Sequence, residues 1–170
     1  CSVQKARELR IPEGKWVYPT AGVQGYDHFS ASVRDNFHSS PGLGLVGKRV
    51  MELSKVSPEE IEYVDLYSCF PSAVQIAARE LGFSEERQLT VTGGLTFGGG
   101  PLNNYVMHAV ARTAELLRKA PGKKAFVSAN GGNLYKHVHC VYSSQAPEEP
   151  FQYENIQQEI DALPSRICLS

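Results

Sequence analysis

Apolar positions recur at helical and then at strand spacing, in alternation, along most of this chain. Over residues 2–10, Val3, Ala6 and Leu9 share one helical stripe. The run Ile11-Pro12-Glu13-Gly14 breaks it, and residues 15–19 predict a short strand. Residues 20–41 read as a long irregular segment. Loops beyond about 12–15 residues in a compact domain are usually functional or disordered, and Tyr26, Phe29 and Phe37 argue against disorder. Ser40 as cap and Pro41 at the first helical position open a helix to about residue 54, with Leu45, Val46, Val50 and Leu53 inward. Ser57 and Glu60 make a capping box over one turn. Residues 63–66 predict a strand. Pro71 then starts a helix that turns Val74, Ala77, Ala78 and Leu81 inward and stops at Gly82. A short strand over 89–92 leads into a glycine-rich run, and a helix over 102–119 presents Val106, Val110, Ala114 and Leu117. Pro121-Gly122 turns the chain, 125–128 is a buried strand, and the alternation over 134–143 is its antiparallel partner.

That order predicts an α/β fold, a mixed sheet covered by helices and closed by a hairpin. Residues 1–144 form one domain in this reading. From Gln145 the core pattern fades, so 145–170 reads as a linker or the start of a further module. The chain opens at Cys1, without methionine and at the edge of a helix, which predicts a fragment. A net charge of −1 with scattered lysine and arginine argues against nucleic acid or an anionic membrane as partner. No apolar run approaches the roughly 20 residues of a membrane span, and no secretory leader opens the chain. Cys1, Cys69, Cys140 and Cys168 form no CxxC pair and read as reduced thiols. A cytoplasmic protein is expected, with peroxisome or mitochondrion open.

The segment of densest meaning is Gly93-Gly94-Leu95-Thr96-Phe97-Gly98-Gly99-Gly100-Pro101, five glycines in nine residues. Such a run lets backbone approach a ligand and adopt conformations a Cβ forbids. As a phosphate cradle it is weak, because no Lys-Ser or Lys-Thr follows. Together with Val64-Asp65-Leu66-Tyr67-Ser68-Cys69-Phe70 and Ala129-Asn130-Gly131-Gly132, it resembles the C-terminal half of the thiolase superfamily. The likeness runs over about residues 1–144 and is closest to the thiolase-like branch often labelled acetyl-CoA acetyltransferase.

The resemblance implies a βαβαβαββ half lacking its first strand, with the other half of the thiolase, and its nucleophilic cysteine, outside this chain. It places Tyr67 where the family has an oxyanion-hole asparagine, Gly100 where it has the activating histidine, and Ala129 where it has the acid/base cysteine. Tyr67 either donates to a developing oxyanion or packs its ring in the core. Cys69, before a helix start, is either activated there or an inert buried thiol. Nearby His108 and His137 are the candidate substitute acid/base groups. His137 and His139 share one side of a strand at a metal-ligand spacing, but no further ligand is evident and no metal is expected. Thr20, Ala21 and Gly22 match the family's pantetheine-contacting loop. With Gly99, Gly100, Asn130, Gly131 and Gly132 they form the expected coenzyme-binding set, coenzyme A being part of the substrate.

The implied function is the C-terminal part of an acyltransferase acting on acyl-CoA thioesters, in a possible homodimer, with degenerate catalytic motifs. Two alternatives stay open: a non-catalytic acyl-CoA or lipid binding module working with a partner, and a carbon–carbon lyase with Tyr67 as acid. Residues 1–170 alone are expected to show no thiolysis of acetoacetyl-CoA in a spectrophotometric assay, and robust turnover would contradict this assignment.

Overall fold

A computed structural model describes residues 3–163. Its centre is one five-stranded mixed sheet in the order β2-β3-β4-β1-β5. The strands are β1 (Tyr18–Tyr26), β2 (Ile61–Asp65), β3 (Lys124–Gly131), β4 (Lys136–Ser143) and β5 (Gln152–Asn155). β2 runs parallel to β3, β4 runs antiparallel to both β3 and β1, and β5 lies parallel to β1. The helices are α1 (Val3–Glu8), α2 (Pro41–Leu53), α3 (Pro71–Leu81), α4 (Leu95–Gly98), α5 (Tyr105–Lys119) and α6 (Gln157–Asp161).

Strand periodicity divides the sheet into two faces. Val64 and Phe126 are register partners, and Phe126 meets His139 of β4 edge-on at 5.2 Å. This face receives α2 and α3, and with Val23, Val46, Val50 and Val141 it forms the core. Asp65 and Val127, the next pair along, point to the opposite face, where Tyr105 of α5 bonds to Asp65. Helices therefore cover both sides of the β2–β3 pair.

Four local differences from the sequence reading have physical causes. The segment read as irregular from residue 20 begins within β1, an interior strand of the sheet, and the loop starts only after Tyr26. Pro19, Gly22 and Gly25 hide the strand pattern, yet the two glycines are there for close packing: a Cβ on Gly25 would overlap Ile160 Cδ1, and one on Gly22 would crowd the Phe151 ring. The expected strand over 89–92 is a single bridge between Thr90 and Asp65. The buried stripe of α5 is Tyr105, Ala109, Thr113 and Leu117, one position round from the expected one, leaving Val106, Val110 and Ala114 half-buried. The stripe of α1 buries nothing.

Residues 152–161, within the stretch read as linker or the start of a further module, add β5 and α6 to this sheet. Ile156 and Ile160 enter the core, and Arg49 of α2 bridges Glu154 and Glu159.

His139 is 1% exposed, and neither ring nitrogen has a hydrogen-bond partner among the described residues. Burial, and secondarily the nearby His137, holds its pKa well below 6.5. The folded protein keeps the ring neutral while the unfolded chain protonates it near its ordinary value. The contribution of this group is therefore full above about pH 6.5 and is lost as pH falls, by up to about 1.4 kcal/mol per pH unit. Urea unfolding at pH 7.5 and 5.5 should show that loss, and His139→Leu should reduce it by about that amount.

Candidate functional site

The parallel pair β2–β3 delivers its C-terminal ends, residues 66–70 and 129–132, to one edge of the sheet. In open α/β sheets ligands bind beyond such ends. The glycine run sits over this edge. It is not one loop: Gly94 leads into the one-turn helix α4, and Gly99 closes it in the left-handed conformation. Gly94 has φ 81°, and a Cβ there would stand 2.9 Å from Ser68 Oγ, so both its backbone angle and its neighbour require glycine. Gly99 and Gly100 face open space.

A hydrogen-bonded network fastens this assembly to β2. Asp65 has no exposed surface. Its Oδ2 accepts from the Thr92 amide (2.9 Å) and the Thr92 hydroxyl (2.7 Å). Its Oδ1 accepts from the Tyr105 hydroxyl at 3.3 Å. The Thr92 and Tyr105 hydroxyls lie 2.6 Å apart. Ser68 Oγ accepts from the Leu95 amide (3.0 Å) and lies 3.3 Å from the Tyr105 hydroxyl. Burial pushes the Asp65 and Tyr105 pKa values up, while the Thr92 bonds pull the carboxylate's back. The sequence reading missed Asp65, Thr92 and Tyr105. The available signal was an acid at the end of the apolar strand Tyr63-Val64-Asp65-Leu66.

Tyr67 stands beside this network. Its amide donates to Ser128 Oγ at 2.9 Å, and its ring meets Tyr105 edge-on at 5.5 Å. The phenol has no protein hydrogen-bond partner among the described residues, and desolvation raises its pKa above the ordinary 10.0. It is a protonated donor at neutral pH. Cys69 receives the Asn130 Nδ2 amide at 3.7 Å, and burial raises its thiol pKa. The inert reading of Cys69 therefore fits better than the activated one. Asn130 Oδ1 is buried without a partner among the described residues.

Two hollows open at this edge. One, about 530 Å³, lies under the glycine run against Ser68, Pro71 and Val74. The other, about 300 Å³, lies between α3, the loop before α2 and the hairpin, touching Asn130 and Gly132. Cys69 lines both. Of the expected set, Asn130 and Gly132 line the second hollow, and the first is lined by the earlier part of the glycine run, Gly93 to Thr96.

Other candidates lie elsewhere. His137 is fully buried on the α2 face, where its Nε2 lies 3.2 Å from both Asp27 Oδ2 and Ser40 Oγ. It anchors the start of α2 and does not reach the glycine run. His108 is exposed on α5. Thr20, Ala21 and Gly22 sit inside β1 at the level of Val141 and Cys140, whereas Asn130 pairs with His137. Three to four residues of sheet, about 10–14 Å, separate Ala21 and Gly22 from the level of Asn130. Thr20 instead lies 2.9 Å from Ser54 Oγ, hydroxyl to hydroxyl. Among the described residues no group of three His, Cys, Asp or Glu side chains could hold a metal ion, and no helix is long and apolar enough to cross a membrane.

No protein-family model matches the chain. A steroid side-chain-cleaving aldolase of Thermomonospora curvata is 30% identical over 134 residues, covering 71% of this chain and 34% of that protein. The crystal structure of a monomeric SCP2-thiolase-like protein of type 1 from Mycobacterium smegmatis superimposes with a TM-score of 0.86 at 34% identity. That match covers 96% of this chain and 37% of the other. An Ltp2-ChsH2(DUF35) aldolase matches in fold, with a TM-score of 0.59 at 21% identity over 77% of this chain and 40% of that one. The chain spans about one third of the length of that curated relative. None of these relatives bears the acetyl-CoA acetyltransferase label. With its mixed five-stranded sheet superimposing over nearly its whole length, the chain has a thiolase-like fold.

Proposed function

We propose that this chain is the C-terminal part of a thiolase-fold carbon–carbon lyase that cleaves β-hydroxyacyl thioesters by a retro-aldol reaction. The observation that carries the proposal is the Tyr67 phenol, held protonated and without a hydrogen-bond partner among the described residues, beside Tyr105 and Ser128 at the end of β3. Acyl transfer with a covalent intermediate calls for a nucleophile and groups that shuttle its proton. At the matched positions this chain offers Gly100 and Ala129, which have no titratable side chain. The two relatives named as aldolases support the same direction.

Retro-aldol cleavage asks less of the site. A base takes the proton of the β-hydroxyl, the Cα–Cβ pair moves to Cα, and a carbonyl compound leaves. The thioester enolate that remains takes a proton at Cα. Tyr67 supplies the donor to that enolate, and the Asp65–Thr92–Tyr105 network fixes the Tyr105 ring against which it stands. The base is assigned to no residue of this chain.

On the full-length protein, Tyr67→Phe should lower kcat for carbonyl release from a β-hydroxyacyl-CoA by about 10²–10⁴-fold, with KM little changed. Because the phenol's pKa is raised, the alkaline limb of the wild-type profile should lie above pH 10. Wild-type rates in the Phe variant would overturn the role of Tyr67. Absence of cleavage in the full-length protein would overturn the proposal itself.

A further inference from the structure

The cleavage proposed above needs a base, yet no carboxylate or imidazole lines the hollow under the glycine run. Ser68 does line it, and the Ser68 hydroxyl is the outer end of a row of hydroxyls. Ser68 Oγ lies 3.3 Å from the Tyr105 hydroxyl, which lies 2.6 Å from Thr92 Oγ1. Thr92 Oγ1 lies 2.7 Å from Asp65 Oδ2. Donor directions follow from the inner end. An ionised Asp65 only accepts, so the Thr92 hydroxyl gives its hydrogen to Oδ2. Thr92 then has no hydrogen left for Tyr105, and the phenol donates inward, with Asp65 Oδ1 as a second acceptor. Ser68 in turn donates to Tyr105 while accepting from the Leu95 amide. One lone pair of Ser68 Oγ is left over for a ligand. Every hydrogen points the same way, from the hollow toward a carboxylate with no exposed surface.

We infer that this row is a proton relay, and that Asp65, acting through Thr92, Tyr105 and Ser68, holds the proton taken from the substrate's β-hydroxyl. The inference rests on the lyase reading. The hydroxyl's proton passes to Ser68 Oγ as Ser68's own goes to Tyr105, that of Tyr105 to Thr92, and that of Thr92 to Asp65. The O–H electron pair becomes the new C=O bond, and the Cα–Cβ pair moves into the thioester enolate. The reverse shift returns a proton to Cα, so every group ends as it began. Ser68 alone touches the substrate; Asp65, Thr92 and Tyr105 are positioning residues. Burial raises the Asp65 pKa, so this carboxylate takes up a proton more readily than one in water. The titratable group that meets it is Tyr105, whose pKa burial also raises, and no charged side chain among the described residues bonds to it. The 3.3 Å step at Ser68 is long, as catalytic hydrogen bonds often are before substrate closes the site.

The test is the kinetics of the full-length protein on a β-hydroxyacyl-CoA. Tyr105→Phe keeps the ring that Tyr67 meets and breaks the row. Its kcat should fall by about 10²-fold or more, with KM unchanged because Tyr105 does not touch the substrate. Thr92→Val should fall alike, and Thr92→Ser, which restores the hydroxyl, should recover about tenfold or more of that loss. The pH profile separates a relay from a scaffold. Wild-type kcat should be flat near neutrality and fall on the acidic side as Asp65 becomes protonated. With the row broken, hydroxide replaces the relay, and kcat of Tyr105→Phe should rise about tenfold per pH unit. A wild-type rate in Tyr105→Phe, or a lowered rate with the wild-type profile, would overturn the relay alone. Should Thr92→Val fail to fold, Tyr105→Phe and Ser68→Ala decide by the same profile. Absence of cleavage in the wild type would overturn the lyase reading and the relay together.

Discussion

Asp65 is a carboxylate with no surface in water, and the architecture of the glycine end depends on how its oxygens are satisfied. Leaving such a group unpaired in the interior costs several kcal/mol. The chain meets that demand with Thr92, amide and hydroxyl together, and with Tyr105. Those bonds join three separate pieces of sequence: the end of β2, the entry to the glycine run and the first turn of α5. Once joined, they set the position of Ser68 under α4 and the plane of the Tyr105 ring. Tyr67 takes its orientation from that ring and from Ser128. A single buried charge thus organises the surroundings of an otherwise unsupported phenol.

The second constraint is close approach. The helical layer on the core face can pack tightly because small residues stand at the crossings. A Cβ on Gly47 of α2 would overlap Leu81 of α3, and α6 reaches β1 only because Gly25 presents no side chain there. His139 and His137 occupy the same face of β4, deep under α2, where a larger polar group would find neither room nor water. The face is dense, and it leaves the proposed chemistry to the loops beyond the strand ends.

Much of this was legible in the sequence. Pro41 and Pro71 mark helix starts, Gly82 ends α3, and the alternation through β4 gives the hairpin, because each of these signals is local. The thiolase likeness was also readable from three short motifs in register. What the sequence concealed is non-local. β1 lacks a strand pattern because its glycines answer to residues 151–160, which lie more than 120 positions away. The Asp65 network joins residues 13 to 40 positions apart, and no spacing rule announces it. His137 and His139 were correctly placed on one side of a strand, but only the position of α2 decides that this side is the core. For a related reason the sequence did not show where the expected coenzyme residues lie: strand register, not sequence order, sets Ala21 and Gly22 three to four positions along the sheet from Asn130.

The chemical account turns on whether the bond broken joins two carbons without a second thiol taking part. The most direct measurement is product analysis of the full-length protein acting on a β-hydroxyacyl-CoA in the absence of free coenzyme A. The account predicts equal amounts of a carbonyl compound and a shortened acyl-CoA. A reaction that requires free coenzyme A, with the acyl group transferred to it, would contradict it.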